Sequence, residues 1–255
     1  MRYATISERN RSLVDSILQY GLDHEALYTL LADIKPMSSL TIHYLPLANA
    51  DSARRTSADI VDRTTKGAYL DRLLRIQQAI NEIHLPDMKF LFIPYSHAYD
   101  SMLTMQLSVV RVSALDRLLR QHESFFGQFG LVPGADPATV VSTIENAGMH
   151  ERFRGYGYLF GYPDYAVDFF VHANNRSMMT GAFEPRNFFQ IPVYARKEGY
   201  FVYAYPKDYQ PSYATDSIRY HRSVTVLEQY KKIRNNYLNP DSTVRAYQLL
   251  LDMVR

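Results

Sequence analysis

MKFLFIPYSHAYDSMLTMQLSVVRVSALDRLLRQHESFF, residues Met88 to Phe126, carries two periodicities in one run. Met88 to Pro94 is almost continuously apolar, which suits a strand covered on both faces. Leu103 to Val112, LTMQLSVVRV, reads as a second strand. Ser113 can then cap a helix from Ala114 to Phe126, with Leu115, Leu118 and Leu119 on one stripe. Strands and helix follow each other without a linker, so the chain is a mixed fold rather than all-α or all-β.

The flanks extend that reading. Ser7 to Tyr20 predicts a helix ended by Gly21, and Asp23 can cap a second one that Pro36 stops, giving a helical hairpin over 7–35. Ser39 to Leu47 predicts a strand, Asn49 to Gly67 a loop or a loop around a short helix, and Tyr69 to Ile83 an amphipathic helix. Asp136-Pro137 opens a helix through Val140, Val141 and Ile144. Asn187 to Pro206 predicts a β-hairpin turning at Arg196 to Gly199. Thr215 caps a long helix to about Leu238, and Ser242 to Val254 closes the chain. The expected fold is one helix-rich α/β or α+β domain over 1–255. Its central sheet would hold about four to five strands, the hairpin among them, with the N-terminal helical hairpin packed on it. The turn-rich segment 132–137 is the one candidate boundary.

Composition narrows the functional classes. Of the 255 residues 47% are hydrophobic and 21% charged, enough to bury a sizeable core. With 28 basic against 26 acidic residues the net charge is +2, which does not point to nucleic acid. The absence of cysteine excludes disulfides and thiolate chemistry. No apolar segment has the length of a membrane span and the N-terminus has no signal-like core, so a soluble, cytoplasmic protein is expected. No motif names a cofactor.

The segment most suggestive of a site is ERFRGYGYLFGYPDYAVDFFVHANNR, Glu151 to Arg176. Its Gly155, Gly157 and Gly161 resemble a dinucleotide loop only superficially, because bulky residues separate them and no buried strand precedes them. A tight turn with close backbone packing explains them better. Pro163-Asp164 starts a helix on which Asp164, Asp168 and His172 recur every fourth residue, with Asn175 continuing the stripe. The rest of that helix would be buried, leaving a narrow polar seam. Two carboxylates and an imidazole could share acid–base work or bind a metal; a solvated stripe with an Asp–His pair is the plain structural alternative.

Arg152 and Arg154 could clamp an anionic group or pair with those aspartates. Tyr156, Tyr158 and Tyr162 could orient a substrate, and between 153 and 213 lie 18 of the chain's 34 tyrosines and phenylalanines. That density suits a ligand pocket, a partner surface, or simple packing of sheet on helix. His97 and Tyr99 follow a buried strand and join the candidate site. His24, His122 and His150 each precede a glutamate, but none completes a zinc-protease motif. The basic helix around Arg219, Arg222 and Arg234 reads as a solvated face. The expectation is an enzyme acting on a small polar or aromatic molecule in an Asp/His/Arg/Tyr-lined pocket. A non-catalytic adaptor with a tyrosine-rich surface for a protein partner is the alternative.

Overall fold

A computed structural model describes residues 6–46, 63–95, 102–196 and 201–253. It shows a helix-rich α+β chain with a three-stranded sheet and a separate two-stranded one. Strands β1 (Met37–Pro46), β2 (Met88–Pro94) and β3 (Met102–Arg111) pair antiparallel in the order β1-β3-β2. The register runs from Met37↔Val110 to Pro46↔Met102 on one side of β3 and from Met88↔Arg111 to Pro94↔Met105 on the other. Strands β4 (Arg186–Ile191) and β5 (Phe201–Pro206) form a hairpin of their own. The expected single sheet of four to five strands is therefore not formed. Periodicity identifies strands but not their partners, and here five helices separate β3 from β4 along the chain.

Both faces of the larger sheet are covered. Leu107 and Val109 of β3 join one core cluster, with Val14, Leu18 and Leu22 of α1 (Glu8–Asp23), Ile76 and Ile80 of α3 (Arg63–Asn81) and Leu249 and Leu250 of α10 (Ala246–Met253). Val110, Leu91 and Ile93 join the other. There they meet Leu115 and Leu119 of α4 (Val112–Gln121) and Val140 and Ile144 of α6 (Pro137–Glu145). Alternate residues of one strand thus enter opposite cores, as a period of two requires. The two-sided burial is what the apolar run at 88–94 implies.

Several helix boundaries differ from expectation for identifiable reasons. Helix α1 runs through Gly21 to Asp23. A Cβ on Gly21 would lie 2.6 Å from Leu40 Cδ2, so this glycine serves close packing on β1 rather than helix termination. The second helix of the expected hairpin is a single turn, α2 (Leu27–Leu30), and Asp23 does not cap it. Asp23 instead accepts two bonds from Arg234, at 3.0 and 3.1 Å, and one from the Tyr230 hydroxyl at 2.7 Å. Ser113 does not cap α4; its N–H and hydroxyl donate to Asp87, at 2.7 and 2.5 Å. The helix expected over 114–126 breaks at His122, where α4 gives way to α5 (Glu123–Phe126). Thr215 lies in a π-turn, Tyr213–Ser217, ahead of α9 (Ile218–Arg234). Asp136 caps α6 as read, accepting from Thr139 N–H at 3.0 Å.

Helices α7 (Met149–Leu159) and α8 (Asp164–Thr180) enclose the Gly-Tyr-Pro turn. Gly155 and Gly157 sit inside α7, not in a turn. Cβ atoms there would come within 2.6 Å of Ile144 Cγ2 and 2.7 Å of Val167 Cγ2, so both glycines let neighbouring helices approach. Gly161 makes the turn itself, with φ +73°. Glycine in a helix interior costs up to about 1 kcal/mol relative to alanine. Gly155→Ala should nevertheless lower the urea midpoint, because overpacking against Ile144 costs about 1–3 kcal/mol. Gly67→Ala in α3, where a Cβ meets open space, should raise the midpoint by up to about 1 kcal/mol of stability.

Candidate functional site

The kink between α4 and α5 turns His122 toward the α7–α8 turn. Its ring stacks on Tyr158, centroids 3.9 Å apart and planes within 15°. Its Nε2 lies 3.6 Å from Asp164 Oδ1, and while the imidazole is largely buried, 63% of the Asp164 side chain is exposed. Tyr158 in turn accepts from Arg154 Nη1 at 3.1 Å, and Arg154 pairs with Asp168. The sequence candidates Asp164, Asp168, Arg154 and Tyr158 are thus joined in one chain of contacts, with His122 as the member that sequence reading left out.

This chain borders a cleft of about 430 Å³ between α4, the α7–α8 turn and the start of α9. His122, Tyr158, Tyr162, Asp164, Tyr165 and Arg219 line it, together with the half-exposed Asp33 and Arg117. Asp33 holds Arg117 at 2.9 Å and Arg222 at 2.8 Å. Arg219 donates to the Gly161 carbonyl, while its buried Nε has no hydrogen-bond partner. The expectation of a solvated basic face fails here: Arg219 is held against the turn, and burial lowers its pKa from the usual arginine value.

Tyr165 of the lining is tied to one carboxylate. Asp216, fully buried in the π-turn, accepts from Tyr165 at 2.6 Å, Tyr203 at 2.7 Å, Ser212 N–H at 2.7 Å and Tyr209 at 3.5 Å. Burial, then the bond to Asp216, raises the pKa of Tyr165 and Tyr203, so both hydroxyls stay protonated donors. No spacing signal marks Asp216, because its partners come from α8, β5 and the 209–212 loop.

The remaining candidates lie elsewhere. Arg152, at 3.4 Å, and Tyr156, at 2.7 Å, both contact the buried Glu145. Tyr95 borders that group, and burial followed by the nearby Glu145 charge pushes its phenol up to about 12. His172 is exposed and lines none of the described clefts, so the stripe of Asp164, Asp168 and His172 does not converge on one point. The helix carrying it is also less buried than expected, since Phe170 is 39% exposed. His97 and Tyr99 lie outside the described residues. Among the described residues no group of three or more His, Asp or Glu side chains could hold a metal ion, and no helix is long and apolar enough to cross a membrane. Lys35, which sequence reading did not single out, is buried against Glu25 at 2.5 Å with its ammonium 4.5 Å from the Phe201 ring centre. It does not line the cleft, although Ile34 and Pro36 do.

The chain matches no family model, no curated protein and no solved structure.

Two tests follow from the geometry. Asp216→Asn places an amide donor among donors and should cost about 3 kcal/mol in urea unfolding. Burial chiefly lowers the pKa of both His122 and His43. Below about pH 6.5 the unfolded chain therefore binds protons that the folded chain resists. Stability should be full above that value and fall as the pH drops through it, and His122→Asn should flatten the profile.

Proposed function

We propose that this chain is an enzyme acting on a small polar molecule that carries an acidic group, with His122 as the proton-transfer residue. The observation that supports this most directly is His122 itself: a desolvated imidazole, stacked on Tyr158 beside the Asp164 carboxylate, at the wall of an open cleft. Burial favours its neutral form, which can accept a proton near neutral pH. Asp164, 3.6 Å away, favours the imidazolium that forms. Arg219 and Arg117 in the same lining supply planar cations suited to a carboxylate or phosphate. Asp33, already paired with Arg117 and Arg222, occupies the place that a substrate anion could compete for.

A second reading has its own support. Met178, Met179 and Phe183, at the end of α8 and just beyond it, are 62, 78 and 71% exposed, and Phe188 on β4 is 55% exposed. Apolar surface of this kind favours a partner-binding protein.

A panel of small carboxylates and phosphate esters, followed for turnover by mass spectrometry, separates the two. For a substrate found this way, His122→Asn should lower kcat by about 10²–10⁴-fold with little change in KM. Arg219→Lys should mainly raise KM. Full kcat in His122→Asn would overturn the assignment. No turnover across the panel, with a protein partner that protects 178–188 from hydrogen exchange, would favour the second reading.

A further inference from the structure

We propose that a second cavity, enclosed by α7, α8 and the β4–β5 hairpin, binds a flat, apolar, two-ring aromatic molecule. It measures about 300 Å³. An apolar cavity of about 150 Å³ holds one benzene, so this one has room for two fused rings. Its lining is mostly aromatic, Phe153, Phe160, Tyr162, Phe170, Phe188 and Tyr203, and small residues such as Gly157 and Ala204 leave the space between them. The rings brace one another: Phe153 meets Phe170 edge-on at 5.4 Å, and Tyr162 lies 6.0 Å from Phe160 and 5.8 Å from Tyr203. The shape therefore exists before any ligand arrives.

The polar groups of the lining decide the ligand's chemistry. Tyr156 gives its hydroxyl to Glu145 and Tyr203 gives its own to Asp216, each at 2.7 Å, and neither carboxylate lines the cavity. These two hydroxyls are thus already committed to carboxylates outside the lining. A ligand needing hydrogen bonds would lose them on entry, while a planar hydrocarbon gains desolvation and ring contacts. Phe170 and Phe188 of the lining are exposed. Tyr162 separates this cavity from the His122 cleft, and the proposal holds whether or not His122 transfers protons.

Naphthalene is the probe, with cyclohexanol as a non-planar control. Titration followed by NMR should show saturable one-to-one binding, with Overhauser contacts to the Val167 and Val202 methyls and no displacement by cyclohexanol. Ala204→Phe, which fills the cavity from the hairpin side, should weaken binding at least tenfold. Absence of saturation up to the solubility of naphthalene, contacts confined to the Met178 and Met179 methyls, displacement by cyclohexanol, or unchanged affinity in a folded Ala204→Phe would each overturn the proposal. If that variant does not fold, the contact map of the unaltered protein decides.

Discussion

Strand β3 has to bury both of its faces, and the arrangement of the chain follows from that requirement. A three-stranded sheet with Leu107 and Val109 on one side and Val110 on the other needs a layer against each. Helices α1 and α10, with α3, supply one layer, so the first and last described helices are in contact. The middle of the chain, from α4 to the start of α8, supplies the other. Tyr162 packs against both cores, so the α7–α8 turn lies where the two layers meet.

The position of the cleft follows from that seam. Asp33 and Ile34 come from the first layer's side, His122 and Asp164 from the second, and Arg219 from the helix that closes over the turn. Clefts between independently packed layers can keep polar groups partly hydrated while their backbones stay fixed. His122 shows the consequence: it occupies the break between two helices, with φ −113° and ψ 39°, and its ring is held by Tyr158 rather than by its own helix.

The sequence was informative where the physics is local. A near-continuous apolar run placed β2 and strand-like composition placed β3 almost to the residue, Asp136-Pro137 marked the start of α6, and Pro163-Asp164 marked the start of α8. Four of the five members of the contact chain at the cleft were equally legible, because Arg154, Tyr158, Asp164 and Asp168 lie close together along two adjoining helices. The rest depends on contacts distant in sequence. Tyr165 and Asp216 are 51 residues apart, Arg219 and Gly161 58, and Asp23 and Arg234 211. Arg219 and Arg234 look solvated when read along their own helix, and Asp23 reads as a helix cap. Nothing in a local pattern records that their partners arrive from another layer.

The aromatic half of the chain is the clearest case of one composition serving two ends. Tyrosine was expected to bring hydroxyls into a pocket, yet at Tyr156, Tyr203 and Tyr230 the hydroxyl binds a carboxylate: Glu145, Asp216 and Asp23. A buried carboxylate needs donors, and a tyrosine can supply one from a distance while its ring fills the intervening space. Each such pair ties two elements together, and the rings pack among others, Tyr203 stacking on Phe189 and Tyr156 on Phe160. The segment expected to line one polar site therefore serves two places: Phe153, Phe160 and Phe170 line the apolar cavity, Tyr158 and Asp164 border the cleft at His122, and Tyr162 lines both. Phenylalanine could fill the same space, but at Tyr165 and Tyr203 it would leave Asp216 buried without two of its donors.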